Sequence, residues 1–119
     1  MKLSTFLLAA PLALFLTACD QRNAADPNAG PPSSPAEALA RKSKCTSCHA
    51  VSKRMIGPSF KDVAAKYKGD KDAQAKLESK VRKGGSGSFG YLPMPAASKS
   101  VSDEDIKTIV EWVLTLETK

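Results

Sequence analysis

Histidine and cysteine are scarce in this 119-residue chain, which has one histidine and three cysteines. A structural zinc site needs four nitrogen or sulfur ligands, and Cys19 belongs to an N-terminal apolar segment, so zinc is disfavoured. No segment shows the polar and apolar alternation of a β-strand. A thioredoxin-like protein is therefore disfavoured too, because its C-x-x-C pair lies among alternating strands and helices. The apolar runs are also too short to span a membrane comfortably.

The chain does contain one C-x-x-C-H run, at residues 45–49. This run is the attachment signature of a c-type haem, in which two thiols add to the vinyl groups and the adjacent imidazole lies under the iron. The two intervening residues let one helical turn present both sulfurs to the porphyrin edge. The run predicts one covalently bound haem c, attached to Cys45 and Cys48, with His49 as an iron ligand.

A methionine between two prolines is the candidate for the second iron ligand. Met1 is expected to be removed, and Met55 is only six residues from His49, too near to cross the porphyrin. Prolines 93 and 95 fix the backbone on either side of Met94 and would hold its thioether in place. The alternative is that Met94 is a loop hydrophobe and the sixth coordination site is open.

Residues 1–18 have the layout of a secretory signal peptide, with Lys2 followed by an apolar run. The end of this run, residues 16–19, resembles the lipobox of bacterial lipoproteins, in which cleavage leaves Cys19 to carry lipid. The alternative is ordinary cleavage after Ala18, with Cys19 as a stray thiol. Bacteria attach c-type haem outside the cytoplasm, so we expect a periplasmic protein anchored to the membrane. Asp20, directly after the cysteine, favours the inner membrane.

Residues 19–34 consist mainly of small and polar residues with three prolines, and they have no apolar periodicity. Such a segment cannot bury a core, and we expect a flexible tether with an r.m.s. span of roughly 20 Å. The folded domain is predicted to be 35–119. Ser34, Pro35 and Glu37 mark its start, because they fit an N-cap, a first helical proline and a capping box.

The apolar spacing predicts an all-α fold of about four short helices. We expect helices over residues 35–44, between Pro58 and the closing Gly69, over 71–83, and from the Ser102 cap to about Glu117. The last helix has the clearest apolar stripe, formed by Ile106, Ile109, Val110, Val113 and Leu114. Helices this short do not stand alone in water, so we expect the haem to fill the core.

From Cys45 onward the sequence resembles small bacterial class I cytochromes c of the cytochrome c-551 family. The matching stretches are residues 45–50, 56–58, 61–66, 93–95, 101–103 and 112–114. The resemblance implies a single haem between two loops, with His49 as proximal and Met94 as distal ligand. It also implies that the carbonyl of Pro58 accepts a hydrogen bond from the second nitrogen of the histidine, which fixes the tautomer.

The chain departs from the family pattern at several positions. Phe89 replaces a tryptophan that donates to a haem propionate in some relatives, and Lys44 stands where a glycine is common before the first thiol. Candidate propionate contacts in this chain are Lys80, Arg82 and Tyr91. Trp112 is expected to pack against other helices rather than to take part in electron flow.

With His49 and Met94 both bound, the iron would be six-coordinate and closed to substrates. We therefore interpret the chain as a one-electron carrier of a bacterial respiratory chain and not as an enzyme. The alternative is a haem-based sensor or small-gas binder, in which Met94 detaches and admits NO or CO.

The net charge of +6 at pH 7 bears on partners. Nucleic acid is disfavoured, because no binding motif is found. We expect a monomer that meets redox proteins such as a terminal oxidase, a nitrite reductase or a cytochrome complex. Basic residues near the haem motif could steer it to acidic patches on them: Arg41, Lys42, Lys44, Lys53, Arg54 and Lys61.

Overall fold

The computed structural model describes Asn28 and residues 30–116. Its four α-helices are α1 (Pro35–Lys42), α2 (Phe60–Lys66), α3 (Ala73–Lys83) and α4 (Asp103–Leu114). A single 3-10 turn, Cys45–Ser47, carries the first cysteine of the motif. Within the described residues the β-structure is limited to one isolated bridge, between Gly85 and Met94. The all-α prediction is confirmed, and none of these helices has the length and hydropathy needed to cross a membrane.

Serine caps start α1, α2 and α4, whereas α3 begins after Asp72 without a side-chain cap. The Ser102 side chain accepts from the Asp105 amide, and Asp105 accepts in return from the Ser102 amide, which makes a full capping box. Ser59 and Asp62 form a second box at the start of α2. Each box satisfies two backbone N–H groups that a helix start leaves without a partner.

The capping box predicted for α1 forms only in part. The Ser34 hydroxyl accepts from the Glu37 amide as expected. The Glu37 carboxylate, however, accepts from the amide and the hydroxyl of Ser33, one residue earlier, at 2.8 and 2.6 Å. Ser33 offers two donors to one oxygen, while Arg41 occupies the other oxygen.

Helix α4 lies at the centre of the fold and contacts each of the other three helices. One apolar cluster joins its Ile109 and Val113 to Ala40 of α1 and Phe60 of α2. A second cluster joins Ile106 and Val110 of the same helix to Leu77 of α3 and Val101. Four of the five residues in the predicted stripe are buried, and Leu114 is half-buried.

Several helix ends differ from the sequence prediction. Helices α2 and α4 end at Lys66 and Leu114, earlier than the predicted Gly69 and about Glu117. Helix α1 stops at Lys42 rather than at residue 44, because Lys44 adopts the left-handed conformation with φ of 65°. Helix α3 begins at Ala73 rather than at residue 71, because the Asp70 carboxylate accepts from the Asp72 amide in a turn before the helix.

Candidate haem-binding cleft

A cleft of about 330 Å³ separates the C-x-x-C-H motif from the loop that carries Met94. Its lining includes Cys48, His49, Pro58 and Met94. Residues more than forty positions apart in the sequence therefore meet at one cavity. The four residues come from loops and turns, which the surrounding helices hold in place.

The histidine ring is fixed on two sides. Its Nδ1 lies 2.7 Å from the carbonyl oxygen of Pro58. A carbonyl can only accept, so Nδ1 carries the hydrogen and Nε2 is the nitrogen with a lone pair for a metal. The ring also stacks on Phe60 with centroids 5.3 Å apart and planes inclined by 21°. The ring of Trp112 packs edge-on against that of Phe60, with centroids 5.3 Å apart.

Gly57 makes room for the histidine. A Cβ at this position would lie 2.5 Å from Cε1 and 2.8 Å from Nδ1 of His49. The Gly57 amide donates to the Cys48 carbonyl at 2.9 Å, which holds the segment against the motif. No side chain larger than hydrogen fits here without displacing the imidazole.

The backbone of Met94 is fixed by two hydrogen bonds with Gly85. The Met94 amide donates to the Gly85 carbonyl at 3.0 Å, and the Gly85 amide donates to the Met94 carbonyl at 2.9 Å. Gly84 precedes this bridge with φ of 69° and ψ of −153°, a region that glycine alone adopts readily. A Cβ there would overlap the main chain of Met94 and Ala96.

Neither cysteine of the motif is in a disulfide, and both are half-buried. Burial raises the pKa of the Cys45 thiol, because a low-dielectric surrounding disfavours the thiolate. The chain enters this turn through Lys44 in the left-handed conformation, with φ of 65°, which glycine adopts more readily than other residues.

Large apolar side chains are exposed at the rim of the cleft. Ile56, Tyr91 and Leu92 have exposed fractions of 66%, 88% and 59%, and all three line the cavity. Three such side chains around one opening make an apolar patch that an apolar disc would cover. Together with a paired thiol motif and an oriented imidazole, they fit a covalently bound haem.

The three candidate propionate contacts are divided by the structure. Lys80 and Tyr91 line the cleft. Arg82 instead donates to the Asp103 carboxylate at 2.6 Å and to the Val101 carbonyl at 2.8 Å, which ties α3 to the start of α4. The ring of Phe89 lies under the Lys66 ammonium, whose nitrogen is 5.1 Å from the ring centroid.

Four short helices and a cleft edged by the C-x-x-C-H motif define a small all-α protein that binds a c-type haem. The family model described as Cytochrome c matches residues 33–117. Cytochrome c-551 of Allochromatium vinosum is 51% identical over 78 residues, which are 66% of this chain and 82% of that protein. The chain belongs to the cytochrome c family, and it is a small class I cytochrome c.

Comparison with solved structures supports the same family. The crystal structure of cytochrome c552 from Nitrosomonas europaea is 44% identical, with a TM-score of 0.63 over 67% of this chain and 98% of that one. The class 1 cytochrome MtoD from Sideroxydans lithotrophicus is 40% identical, with a TM-score of 0.58 over 67% and 90%. The family implies one covalently bound haem c with its iron, and the chain is an electron carrier that meets redox partners.

Sequence reasoning missed three residues that shape the cleft. The stacking of Phe60 on His49, the space made by Gly57 and the bridge from Gly85 depend on loop conformations, which neither a periodic pattern nor a motif marks in the sequence. The capping box at the start of α2, beside the cleft, does have a local sequence signal, because Ser59 and Asp62 have the capping-box spacing. The predicted signal peptide and Cys19 lie outside the described residues.

Proposed function

We propose that the chain carries single electrons in a bacterial respiratory chain, with His49 and Met94 as the two axial ligands of the haem iron and Cys45 and Cys48 as its thioether attachments. The observation that supports this most directly is that His49 and Met94 line one cleft although they are distant in the sequence. Haem c supplies an iron that gains and loses one electron, with a potential set by its ligands and burial.

His49 is held so that electron transfer requires little movement. The hydrogen bond from Nδ1 to Pro58 fixes the tautomer and makes Nε2 a stronger donor to a metal. Stacking on Phe60 fixes the plane of the ring. Pro58 therefore acts through His49, as a positioning residue.

Met94 is held by its main chain. The two hydrogen bonds to Gly85 and the flanking prolines restrict where the thioether can go. A Met94 thioether that held the iron would exclude small molecules from it, which favours a carrier over an enzyme or a gas sensor. Thioether ligation also raises the reduction potential.

The ligand assignment is tested with two methionine variants of the holoprotein. Met94→Ala should lose the ferric absorption band near the red end of the visible spectrum, and its reduced form should bind CO. Met55→Ala is the matched control and should keep the band and resist CO. Rapid CO binding by the unaltered protein would overturn the carrier assignment and favour the sensor.

The location of the protein is a second part of the proposal. A signal peptide over residues 1–18, a lipidated Cys19 and a tether over 19–34 would place the domain in the periplasm at the membrane, with Asp20 favouring the inner one. The intact mass of the membrane-extracted protein reports haem and acyl groups together. A mature mass without acyl groups, which differs from that of Cys19→Ser only by the exchange of sulfur for oxygen, would contradict the anchor.

Basic residues near the motif support docking to acidic redox partners, such as a terminal oxidase, a nitrite reductase or a cytochrome complex. Residues 38–61 include six basic and no acidic side chains. Of these, Lys42, Lys44, Lys53 and Arg54 are exposed, whereas Arg41 is paired with Glu37. Transfer rates should fall as ionic strength rises, and rates that stay constant would exclude steering.

Lys80 and Tyr91 are the proposed polar contacts of the haem propionates. Both line the cleft, and the Lys80 ammonium lies 3.4 Å from the Ser86 carbonyl at its edge. Lys80→Met should lower the reduction potential, because a nearby positive charge favours the ferrous form. An unchanged potential would remove Lys80 from the site.

A further inference from the structure

The segment before α1 is bound to the domain. Asn28 lies outside the residues matched by the family model, which begin at 33. Its side-chain nitrogen donates to the carbonyl oxygens of Thr46 and His49, at 3.0 and 3.1 Å. It also lies 3.7 Å from the sulfur of Met55. We call Asn28 and residues 30–34 the strap.

The other end of the strap is fixed to α1. Arg41 donates to the Gly30 carbonyl at 2.7 Å, and Ser33 donates twice to the Glu37 carboxylate. Glu37 is only 4% exposed, so this anchor is a buried one. Hydrogen bonds to a charged group are stronger than those between neutral groups. The strap is thus held at both ends.

The contact at Asn28 satisfies groups that the haem-motif turn leaves without partners. A short 3-10 turn has carbonyls at its end that lack an intrahelical donor. Within the described part of the chain, Asn28 is the only side chain that donates to the carbonyls of Thr46 and His49. One amide nitrogen has two hydrogens, which match two carbonyls. The amide oxygen of Asn28 is buried as well.

We propose that Asn28 is a positioning residue for the haem site and acts through the backbone of His49. The ring of this histidine is held by Pro58, and its main chain is held by the strap. The segment that precedes the family domain is then a part of the site rather than a free tether. The proposal rests on the proposed role of His49 as an iron ligand.

The test uses two neutral substitutions in the holoprotein. Asn28→Leu keeps a side chain of similar size but has no donor, and Asn28→Ala removes both size and donor. In both variants, amide hydrogen exchange in residues 45–49 should become faster, on the order of tenfold, because two hydrogen bonds are lost. The reduction potential should also fall, because water that reaches the loosened turn favours the ferric form.

The control is Pro31→Ala, an exposed position of the same strap, which should change neither exchange nor potential. If Asn28→Leu exchanges like the unaltered protein, hydrogen bonding by Asn28 is excluded. If exchange rises but the potential does not move, the positioning role is overturned. The exchange result does not depend on which residues ligate the iron, so it separates a failure here from a failure of the methionine test.

Discussion

In the helix pair, α1 and α4, the contact is close and apolar. Ala40 is fully buried, and it shares a cluster with Ile109 and Val113. The cleft loops, residues 48–58 and 84–95, are held differently. Isolated backbone bonds and close-fitting glycines fix them, while Ile56 and Leu92 stay exposed at the rim.

The difference shows where the cofactor is needed. Burial of apolar surface stabilises the helix pair at roughly 25 cal/mol per Å² without any further group. The cleft loops gain little of that stabilisation from the chain itself, because their large side chains border an open cavity. The haem therefore completes the part of the core that the sequence does not fill.

The largest expected effect comes from preventing haem attachment. In Cys45→Ala/Cys48→Ala, the cleft loops should lose nearly all protection from amide exchange, while α4 keeps part of its own. The free energy of unfolding should fall by roughly 4 kcal/mol or more, because a ligand that binds only the folded state stabilises it. Cys19→Ser should retain haem and serves as the control. Equal loss of protection in α4 and in the cleft loops would show that the helices depend on the haem as much as the loops do.

Alanine substitutions at Gly84 and Gly87 test how much the close packing of the cleft loops contributes to stability. Gly84→Ala places a Cβ against the main chain of Met94 and forces a conformation that disfavours alanine. We expect a loss of about 3 kcal/mol in urea denaturation of the holoprotein, with weakened methionine ligation in the visible spectrum. Gly87→Ala also has a positive φ, of 98°, but nothing lies within 4 Å of its Cβ. It should cost only about 1 kcal/mol.

Equal losses in the two glycine variants would mean that backbone strain alone matters. The close approach of Gly84 to the Met94 segment would then have no role in stability.

The same division explains what could be predicted from the sequence. The helices have local signals, such as the Ser102 cap and the apolar stripe of α4, and these were confirmed. The two sides of the cleft could be named from C-x-x-C-H and Pro93-Met94-Pro95. The contacts within it could not, because Phe60 reaches His49 only after α2 packs on α4. Asn28 gave no signal at all, since one asparagine in a proline-rich segment has no periodicity to interpret.

Two serine caps allow a direct comparison of the cleft region with the helix pair. Ser59 begins α2 beside the cleft and is 2% exposed, whereas Ser102 begins α4 and is exposed. Both accept from an aspartate amide at 3.0 Å. Ser102→Ala should cost about 1 kcal/mol, the usual value for a cap, and Ser59→Ala about 2 kcal/mol, because the donor it leaves is shielded from water. Denaturant unfolding of the holoprotein measures both, and a reversed order would contradict the burial argument.

The smallest expected effect concerns the hydrogen bonds between the strap and α1. Burial of Glu37 acts to raise the pKa of its carboxyl, but hydrogen bonds from Ser33 and Arg41 together outweigh it and hold the pKa below its ordinary value. A lowered pKa in the folded state means that the carboxylate contributes stability above its unfolded pKa of about 4.3. This contribution is lost as the pH falls through the folded value.

The free energy of unfolding should therefore differ between the unaltered protein and Glu37→Gln by a constant amount above about pH 5, and by less at lower pH. Ser33→Ala removes donors that lower the folded pKa of Glu37, so the total loss of stability on acidification should be smaller, and complete at a higher pH, than in the unaltered protein. Unfolding curves between pH 3 and 7 measure the difference. A difference that does not vary with pH would show that Glu37 acts through packing alone, and the strap would then be joined to α1 by shape rather than by charge.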